Sequence, residues 1–374
     1  MLILEDESGR VAIDGELASR VNQLVTGIMV ALRGSMGNDG KFHASEMLTL
    51  GLSGTNPVKL SRAPSPAAAK AAASPDPQGK FVMLVSGLSV GGGNAKASLQ
   101  LQLLMDFLSG RVGSANDAAL ASRIARVVVC GNSVLSPDQL HGAAGREPQS
   151  WSHAATKASA AKLAQENIAP IRELDSLLAQ ALMTVPIDVM PGNDDPGTFT
   201  LPQQPLHPCL LPQASRYSSL SLVTNPYHVV LDGISLLGHS GAPVADIARQ
   251  TQPTDDAMQV AEGEGDEAAR ARKQARHQLE ILHNSVRWGH LAPTAPDSLP
   301  CHPFVDEDPF ILSHTAMPHL VFSGNAAAFA TEMGTTLDGH AYRVLCVPSF
   351  SQTGTAVLVD LASLDVSTIE FGLH

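Results

Sequence analysis

Five predicted strands each end in a glycine followed by short polar residues. The loops concerned are Ser86-Gly-Leu-Ser-Val-Gly, Gly131-Asn-Ser-Val, Gly192-Asn-Asp-Asp, Gly238-His-Ser-Gly and Gly324-Asn-Ala-Ala. In a two-metal phosphoesterase, Asp, Asn and His side chains from successive strand ends hold two metal ions about 3.5–4 Å apart. Such ions need anionic or imidazole ligands. These loops are therefore the candidate metal-binding positions of the chain.

Two other catalytic motifs are partly matched by the same loops. Gly238-His-Ser-Gly-Ala resembles the nucleophile elbow of serine hydrolases, but Ala242 replaces the closing glycine and Pro243 follows it in place of a clear helix. The glycine-rich loop 87–93 lacks the Gly-Lys-Ser/Thr of a P-loop, because Lys96 is followed by Ala97. Neither a serine hydrolase nor a P-loop protein is expected.

The charged and imidazole side chains near these loops also have simpler interpretations. Asp194 and Asp195 could bind one cation, but a strand-end turn and helix cap is the favoured interpretation. A packing or surface role is expected for five scattered histidines, His207, His283, His290, His302 and His314.

Composition narrows the function classes further. Of the 374 residues, 16% are charged and 4% are aromatic, and the formal net charge is -12. Proteins that grip a nucleic-acid backbone usually present a basic face, so strong autonomous nucleic-acid binding is not expected. With three Tyr and two Trp, the chain also offers few aromatic platforms for a DNA binder of the OB type.

The cysteines predict neither a zinc site nor a disulfide framework. Cys130, Cys209, Cys301 and Cys346 lie far apart and no pair has CxxC spacing. No apolar run reaches the roughly 18–20 residues of a membrane span, and the acidic N-terminus does not resemble a signal peptide. A soluble, intracellular protein without a metal or cofactor is expected.

The predicted elements indicate a mixed α/β (α+β) protein of two domains. Residues 1–60 contain short β-prone runs, including Val25 and Ile28, and a turn signal at Gly37–Gly40. They predict a partial β-barrel that exposes a strand edge. Residues 61–79 are a low-complexity linker, and residues 80–374 form the second domain.

The second domain begins with strands alternating with helices and is richer in strands later. Continuous apolar runs predict buried strands at 81–85, 126–130 and 185–190. Helices are expected after the first strand, at 154–183 with a break near Pro170, and at 271–288. Residues 253–270 are interpreted as a disordered acidic insertion. Further strands are expected at 219–224, 228–237, 319–323, 342–347 and 355–361.

Over nearly its whole length, the chain resembles the small B subunits of replicative DNA polymerases, and within them the delta branch. The resemblance is carried by five segments: Leu84-Val-Ser-Gly-Leu, Asp188-Val-Met-Pro-Gly-Asn, Leu201-Pro-Gln-Gln-Pro-Leu-His-Pro-Cys, Leu222-Val-Thr-Asn-Pro-Tyr and Pro293-Thr-Ala-Pro-Asp. It implies a calcineurin-like phosphoesterase sandwich preceded by an OB-fold. The phosphoesterase is expected to be catalytically inactive.

Inactivity is expected because the resemblance places other residues where active relatives carry metal ligands. Gly, Ser, Leu and Ala cannot supply the charge that two divalent cations require. No catalytic or metal-binding residue is therefore predicted. The vestigial positions are Gly87 and Ser89, Asn132 and Leu135, Asn193, Asp194 and Asp195, Ser240 with His239 beside it, and Asn325 and Ala327.

The resemblance implies a non-catalytic scaffold of a DNA polymerase delta complex in the nucleus. Its expected partners are the cysteine-rich C-terminal module of the catalytic subunit, on the phosphoesterase-like domain, and a third, elongated subunit, on the OB part. The sliding clamp and DNA would be reached indirectly, and no membrane is involved. The alternative is a metal-dependent phosphoesterase or nuclease of the same fold.

Overall fold

A computed structural model describes residues 2–49, 79–136 without 93, 139, 157–253, and 267–372 without 305–306, 313–316 and 337–338. The chain divides into two compact units. One contains residues 1–63, 242–321 and 330–344, and the other contains residues 64–241, 322–329 and 345–374. These units are not continuous in sequence, and the domain boundaries at residues 60 and 80 stay a prediction.

The N-terminal part of the first unit is a four-stranded sheet. Its strands are β1 (Leu2–Asp6), β2 (Gly9–Asp14), β3 (Val30–Met36) and β4 (Phe42–Thr49), in the order β1-β2-β4-β3. Ile13, Leu17 and Ala44 are its buried apolar residues. The predicted turn is present, with the Gly37 amide donating to the Lys41 carbonyl at 2.8 Å.

One part of the N-terminal prediction is wrong. Val25 and Ile28 lie in a connection without strand structure, which follows a 3-10 segment at Glu16–Gln23. Val25 is buried in that connection. A β-branched residue in a connection can be buried against the protein without belonging to a strand. The residue type alone therefore does not define a strand.

The remaining strands belong to a six-stranded and a five-stranded sheet. They are β5 (Phe81–Val85), β6 (Ile124–Cys130), β7 (Ile187–Met190), β8 (Leu220–Leu222), β9 (Tyr227–Leu231), β10 (Ile234–His239), β11 (Leu320–Ala326), β12 (Ala330–Thr335), β13 (Ala341–Pro348), β14 (Thr355–Asp360) and β15 (Val366–Glu370). The strand orders are β15-β14-β5-β6-β7-β8 and β12-β13-β11-β10-β9.

The six-stranded sheet confirms the predicted alternation of strands and helices. Strands β5 to β8 are parallel, while β14 runs antiparallel to β5 and β15 antiparallel to β14. A parallel sheet is covered on both faces, which explains the continuous apolar runs of β5 and β6. Apolar residues of the connecting helices, such as Leu104 and Leu178, are buried in one core with Val85 and Val127.

The helices are α1 (Ala95–Leu108), α2 (Ala115–Ser122), α3 (Lys157–Ala181), α4 (Ala242–Gln250), α5 (Glu267–Trp288) and α6 (Phe350–Thr353). The Asn94 side chain caps α1 by accepting from the Lys96 amide at 3.0 Å. In the described part of the chain, every helix is too short or too polar to span a bilayer.

Three predictions about these elements are wrong. Helix α3 continues through Pro170 without a break, because proline removes one hydrogen bond while buried Leu174 and Leu178 still hold the helix on the core. Helix α4 does follow β10, with Pro243 in its first turn, where proline is favourable. Helix α5 begins at Glu267, so residues 267–270 are helical.

The other differences are smaller. The segment 228–237 is a hairpin of β9 and β10, turned at Asp232 and Gly233, which both have positive φ. Strands β12 and β15 were not predicted. Two further predictions concern residues outside the described ones: the linker up to residue 78 and residues 254–266 of the acidic insertion. His314 also lies outside them.

Candidate functional site

The loops after β5 and β6 lie side by side, as expected for neighbouring parallel strands. The Gly87 amide donates to the Gly131 carbonyl at 2.9 Å, and the Ser89 amide donates to the Asn132 carbonyl at 3.1 Å. Gly87, Ser89 and Asn132 all have positive φ. The backbone therefore turns sharply where each strand ends, and the two loops are fastened to each other by main-chain hydrogen bonds.

Gly87 is the first of the vestigial ligand positions and has no room for a side chain. A Cβ atom there would lie 2.5 Å from Ser349 Oγ and 2.6 Å from Asn325 Oδ1. Its φ of 60° adds strain for any residue with a Cβ. The space of a ligand is thus filled by the side chains of a serine and an asparagine.

The loops after β6 and β7 are also in close contact. The Asp194 amide donates to Asn132 Oδ1 at 3.4 Å. A Cβ on Gly192 would lie 2.1 Å from the same oxygen. Asn132 is another vestigial ligand position, and its Oδ1 therefore faces the backbone of the neighbouring loop. Asn193 is exposed at the surface of that loop.

Asp195 is the buried carboxylate of the site, and the backbone occupies both of its oxygens. Oδ1 accepts from the amides of Ser133 at 2.7 Å and Val134 at 3.0 Å, and Oδ2 accepts from the Gly192 amide at 2.8 Å. Burial raises the pKa of Asp195 to about 7, although the hydrogen bonds from the three amides favour the charged form and lower the pKa. The carboxylate is a strand-end turn acceptor, and no helix begins there.

Ser240, another vestigial ligand position, belongs to an amide network. Its Oγ accepts from Asn225 Nδ2 at 2.7 Å, and its amide donates to Asn225 Oδ1 at 3.2 Å. Asn225 Nδ2 also donates to Gln203 Oε1 at 2.7 Å. On the other side, Asn325 Nδ2 donates to the Ser240 carbonyl at 2.8 Å. The ends of β10 and β11 are thereby joined.

His239 is buried next to this network. Its Nδ1 accepts from the Gly241 amide at 3.0 Å, and its Nε2 has no hydrogen-bond partner among the described residues. Burial lowers the pKa of this imidazole to about 4. The ring is therefore neutral at physiological pH and behaves as a packed side chain.

The strand, turn and helix at β10 and α4 have the element order of a nucleophile elbow, which was not expected from the sequence. The elbow serine sits in a strained turn with its hydroxyl exposed. Ser240 is buried and does not have positive φ, and its hydroxyl is held by Asn225. These contacts do not prepare Ser240 for attack on a substrate.

The two remaining vestigial positions, Leu135 and Ala327, are apolar. Leu135 lines a cavity of about 170 Å³ together with Ser89, Val90 and Glu173. Ala327 follows the end of β11 and is half-buried. In the residues that the structure describes, no group of three or more His, Cys, Asp or Glu side chains is placed to hold a metal ion.

Sequence reasoning found the strand-end positions but missed the residues that tie them together. Ser86 Oγ donates to the Pro348 carbonyl at 2.9 Å and accepts from the Asn325 amide at 2.9 Å. Gln203 and Asn225 lie in the segments that carry the family resemblance. The family resemblance could have pointed to Gln203 and Asn225, but it assigned no role to either residue.

Two family models match the chain. The model for the B subunits of DNA polymerases alpha and epsilon matches residues 82–331, and the model for the OB-fold domain of the DNA polymerase delta subunit matches residues 1–47. Together they cover the strand-end loops and the N-terminal sheet up to residue 47.

Curated proteins are similar over almost the whole chain. The DNA polymerase delta small subunit of Oryza sativa subsp. japonica is 36% identical over 99% of this chain and 73% of that protein. The DNA polymerase delta subunit 2 of Drosophila melanogaster is 32% identical over 100% of this chain and 74% of that protein. For the small subunit of Saccharomyces cerevisiae (strain ATCC 204508 / S288c) the values are 30%, 100% and 70%.

A solved structure described as a novel archaeal phosphodiesterase is also similar. It is 9% identical, has a TM-score of 0.33, and the match covers 77% of this chain and 98% of that chain. This likeness is too low to support an inference.

Proposed function

The chain belongs to the DNA polymerase delta small subunits, within the family of polymerase B subunits, and from this membership we propose that it is a non-catalytic accessory subunit of a DNA polymerase delta complex. In that complex it acts as a scaffold for DNA replication and repair synthesis. The observation that carries the proposal is identity of 30–36% over 99–100% of the chain with small subunits from rice, fly and yeast. This similarity extends over almost the whole chain and is not limited to one shared domain.

The second element of the proposal is that the unit with the strand-end loops is a calcineurin-like phosphoesterase sandwich that has lost its activity. The geometry of Gly87 supports this, because Ser349 and Asn325 fill the space of a ligand. Asp195 supports it as well, because three backbone amides occupy the carboxylate that could otherwise bind a cation. In this proposal, hydrogen bonds among backbone, Asn and Ser groups replace metal ions as the links between strand ends.

The third element concerns partners and location. The catalytic subunit would dock its cysteine-rich C-terminal module on the phosphoesterase-like unit, and the OB part would bind the third subunit. The sliding clamp and DNA would be reached through these subunits, in the nucleus. The net charge of -12 supports contact with proteins over direct contact with a phosphate backbone.

The alternative is a metal-dependent phosphoesterase or nuclease. It requires a set of anionic or imidazole ligands at the strand ends. Gly87, Leu135 and Ala327 stand at three of those positions. The order of strand, turn and helix around Ser240 does not support a serine hydrolase, because the Ser240 hydroxyl is buried and hydrogen-bonded.

The proposal is tested by affinity purification of the tagged full-length chain from its source cells, followed by mass spectrometry. The expected result is a polymerase delta catalytic subunit in near-stoichiometric amount. The same tag on an unrelated acidic protein is the control for non-specific capture. Absence of any polymerase catalytic subunit from the purified material, with the chain itself well recovered, would overturn the proposal.

A further inference from the structure

Residues 196–215, here named the uncharged segment, contain no Asp, Glu, Lys or Arg, although 16% of all residues in the chain are charged. The segment follows directly on Asp195 and includes the Leu201–Cys209 stretch. Much of it is exposed, including Pro205, His207, Pro208 and Cys209. A long exposed stretch without charge is unusual for a solvated surface. Depletion of charge is instead typical of the centre of a protein–protein interface.

Phe199 is the most exposed of the described large apolar side chains. It is 73% exposed and lies near the start of the uncharged segment. An aromatic ring in this position gains more from burial against a partner than the small residues around it. Aromatic residues also contribute disproportionately to binding when an interface buries them.

The residue before Phe199 is held by hydrogen bonds from Gln203 and Gln204, which follow it. Gln203 Nε2 donates to the Thr198 carbonyl at 2.6 Å and to the Gly192 carbonyl at 3.2 Å. The Gln204 amide donates to Thr198 Oγ1 at 3.3 Å. The ring is therefore presented by a fixed loop, which lowers the entropic cost of binding.

The rest of the uncharged segment is anchored in the same way. Leu201, Leu206 and Leu211 point into the protein and are almost fully buried. The Asp175 carboxylate accepts from the amides of Gln213 and Ala214, at distances between 2.8 and 3.1 Å. Buried leucines and one carboxylate thus keep the exposed side chains of the segment in place.

We infer that the uncharged segment, with Phe199 as its anchor, is the surface on which the polymerase delta catalytic subunit docks. This inference rests on the proposed function, which assigns that subunit to the unit containing the segment. The partner surface is uncharged and mainly apolar, since a charged partner would find no counter-charge here. Nucleic acid is excluded as the occupant because the segment carries no Lys or Arg.

The inference is tested by measuring the affinity of the purified full chain for the complete catalytic subunit. Phe199→Ala removes the anchor and is expected to weaken binding at least about tenfold. Gln204→Glu adds one charge to the exposed segment with little change of shape and is expected to weaken it about threefold or more. Met183→Ala is the matched control, since Met183 is an apolar side chain of the same unit that is 59% exposed. It is expected to leave the affinity unchanged.

The outcomes separate the two proposals. If the unaltered chain binds the catalytic subunit and both Phe199→Ala and Gln204→Glu bind equally well, the docking surface is wrong and the proposed function stands. If the unaltered chain does not bind at all, both fail. If Phe199→Ala abolishes self-association in gel filtration and leaves the affinity for the catalytic subunit unchanged, the occupant is a second copy, which also overturns the inference. Unchanged melting temperatures of both variants show that they fold.

Discussion

The loops after β5 and β7 each carry a vestigial ligand position, Gly87 and Asp195, and the two positions differ in what occupies them. After β5, Gly87 leaves no space, because Ser349 and Asn325 fill it. After β7, Asp195 is retained, but its carboxylate accepts three backbone amides. One loop is thus closed by packing and the other by hydrogen bonds to a buried acid. The difference teaches that an acidic residue at a ligand position is not by itself a sign of metal binding.

The largest expected effect is on the packed loop. Gly87→Ala should lower the free energy of unfolding by about 3 kcal/mol, because its Cβ would meet two side chains at positive φ. Gly110→Ala is the matched control, since Gly110 has φ of 66° and nothing within 4 Å of its Cβ position. Its cost should be about 1 kcal/mol. If urea unfolding gave equal losses for the two variants, only the positive φ at Gly87, and not the packing around it, would require glycine.

The hydrogen-bonded loop should respond next. Asp195→Asn replaces one acceptor oxygen with a donor, which leaves at least one buried backbone amide unpaired. The expected loss is about 2 kcal/mol in the free energy of unfolding. Asp194→Asn, at a half-buried neighbour, should change it by less than about 0.5 kcal/mol. An Asp195→Asn protein as stable as its parent would mean that the carboxylate does not hold the loop.

The contribution of the buried His239 to the stability of the fold can be measured by varying the pH. Its folded pKa of about 4 lies below the ordinary 6.5, so the unfolded chain takes up a proton first as the pH falls. His239 therefore destabilises the fold progressively from pH 6.5 to 4, by at most about 1.4 kcal/mol per pH unit. Asp195, with a raised pKa, acts in the opposite direction in this window.

The stability difference between the parent and His239→Asn isolates the histidine, because Asp195 is common to both proteins. An Asn oxygen can still accept from the Gly241 amide. The parent should lose stability relative to the variant as the pH falls from 6.5 to 4. A difference that stays constant across this range, measured by urea unfolding, would show that the fold does not lower the pKa of His239.

The smallest effect is expected when an acid is introduced at the vestigial position Asn132. Asn and Asp both tolerate positive φ, and either can accept from the Asp194 amide. Asn132→Asp should therefore change the free energy of unfolding by less than about 0.5 kcal/mol. It should not create a manganese site, because Gly87 and Leu135 still supply no ligand. Tight manganese binding by calorimetry would refute the idea that packing closes the site.

Particular residues show how far the sequence determines the fold. The apolar runs of β5 and β6 predicted buried strands because parallel sheets are covered on both faces. Pro243 argued against a helix at the sequence level, whereas proline fits the first turn of one. Strands β12 and β15 are rich in polar residues and lie at the edges of their sheets. Their sequences therefore lack the regular pattern of buried apolar residues that predicts a strand.

The candidate site was predictable only in part, for a different reason. The strand-end positions follow from glycine and short polar residues after each apolar run. Their partners do not, because Asn325 and Ser349 lie more than 230 residues from the β5 loop that they close. The exclusion of a ligand at Gly87 is a property of three distant segments packed together, and no local pattern encodes it.

The central claim, that hydrogen bonds and packing replace metal chemistry at the strand ends, is tested most directly by a hydrolysis assay. The purified chain is incubated with bis-nitrophenyl phosphate and added manganese, and release of nitrophenol is followed. The expected result is no turnover above the buffer blank. Turnover that disappears in Asp195→Asn or Asn193→Ala would contradict the claim and restore the phosphoesterase alternative.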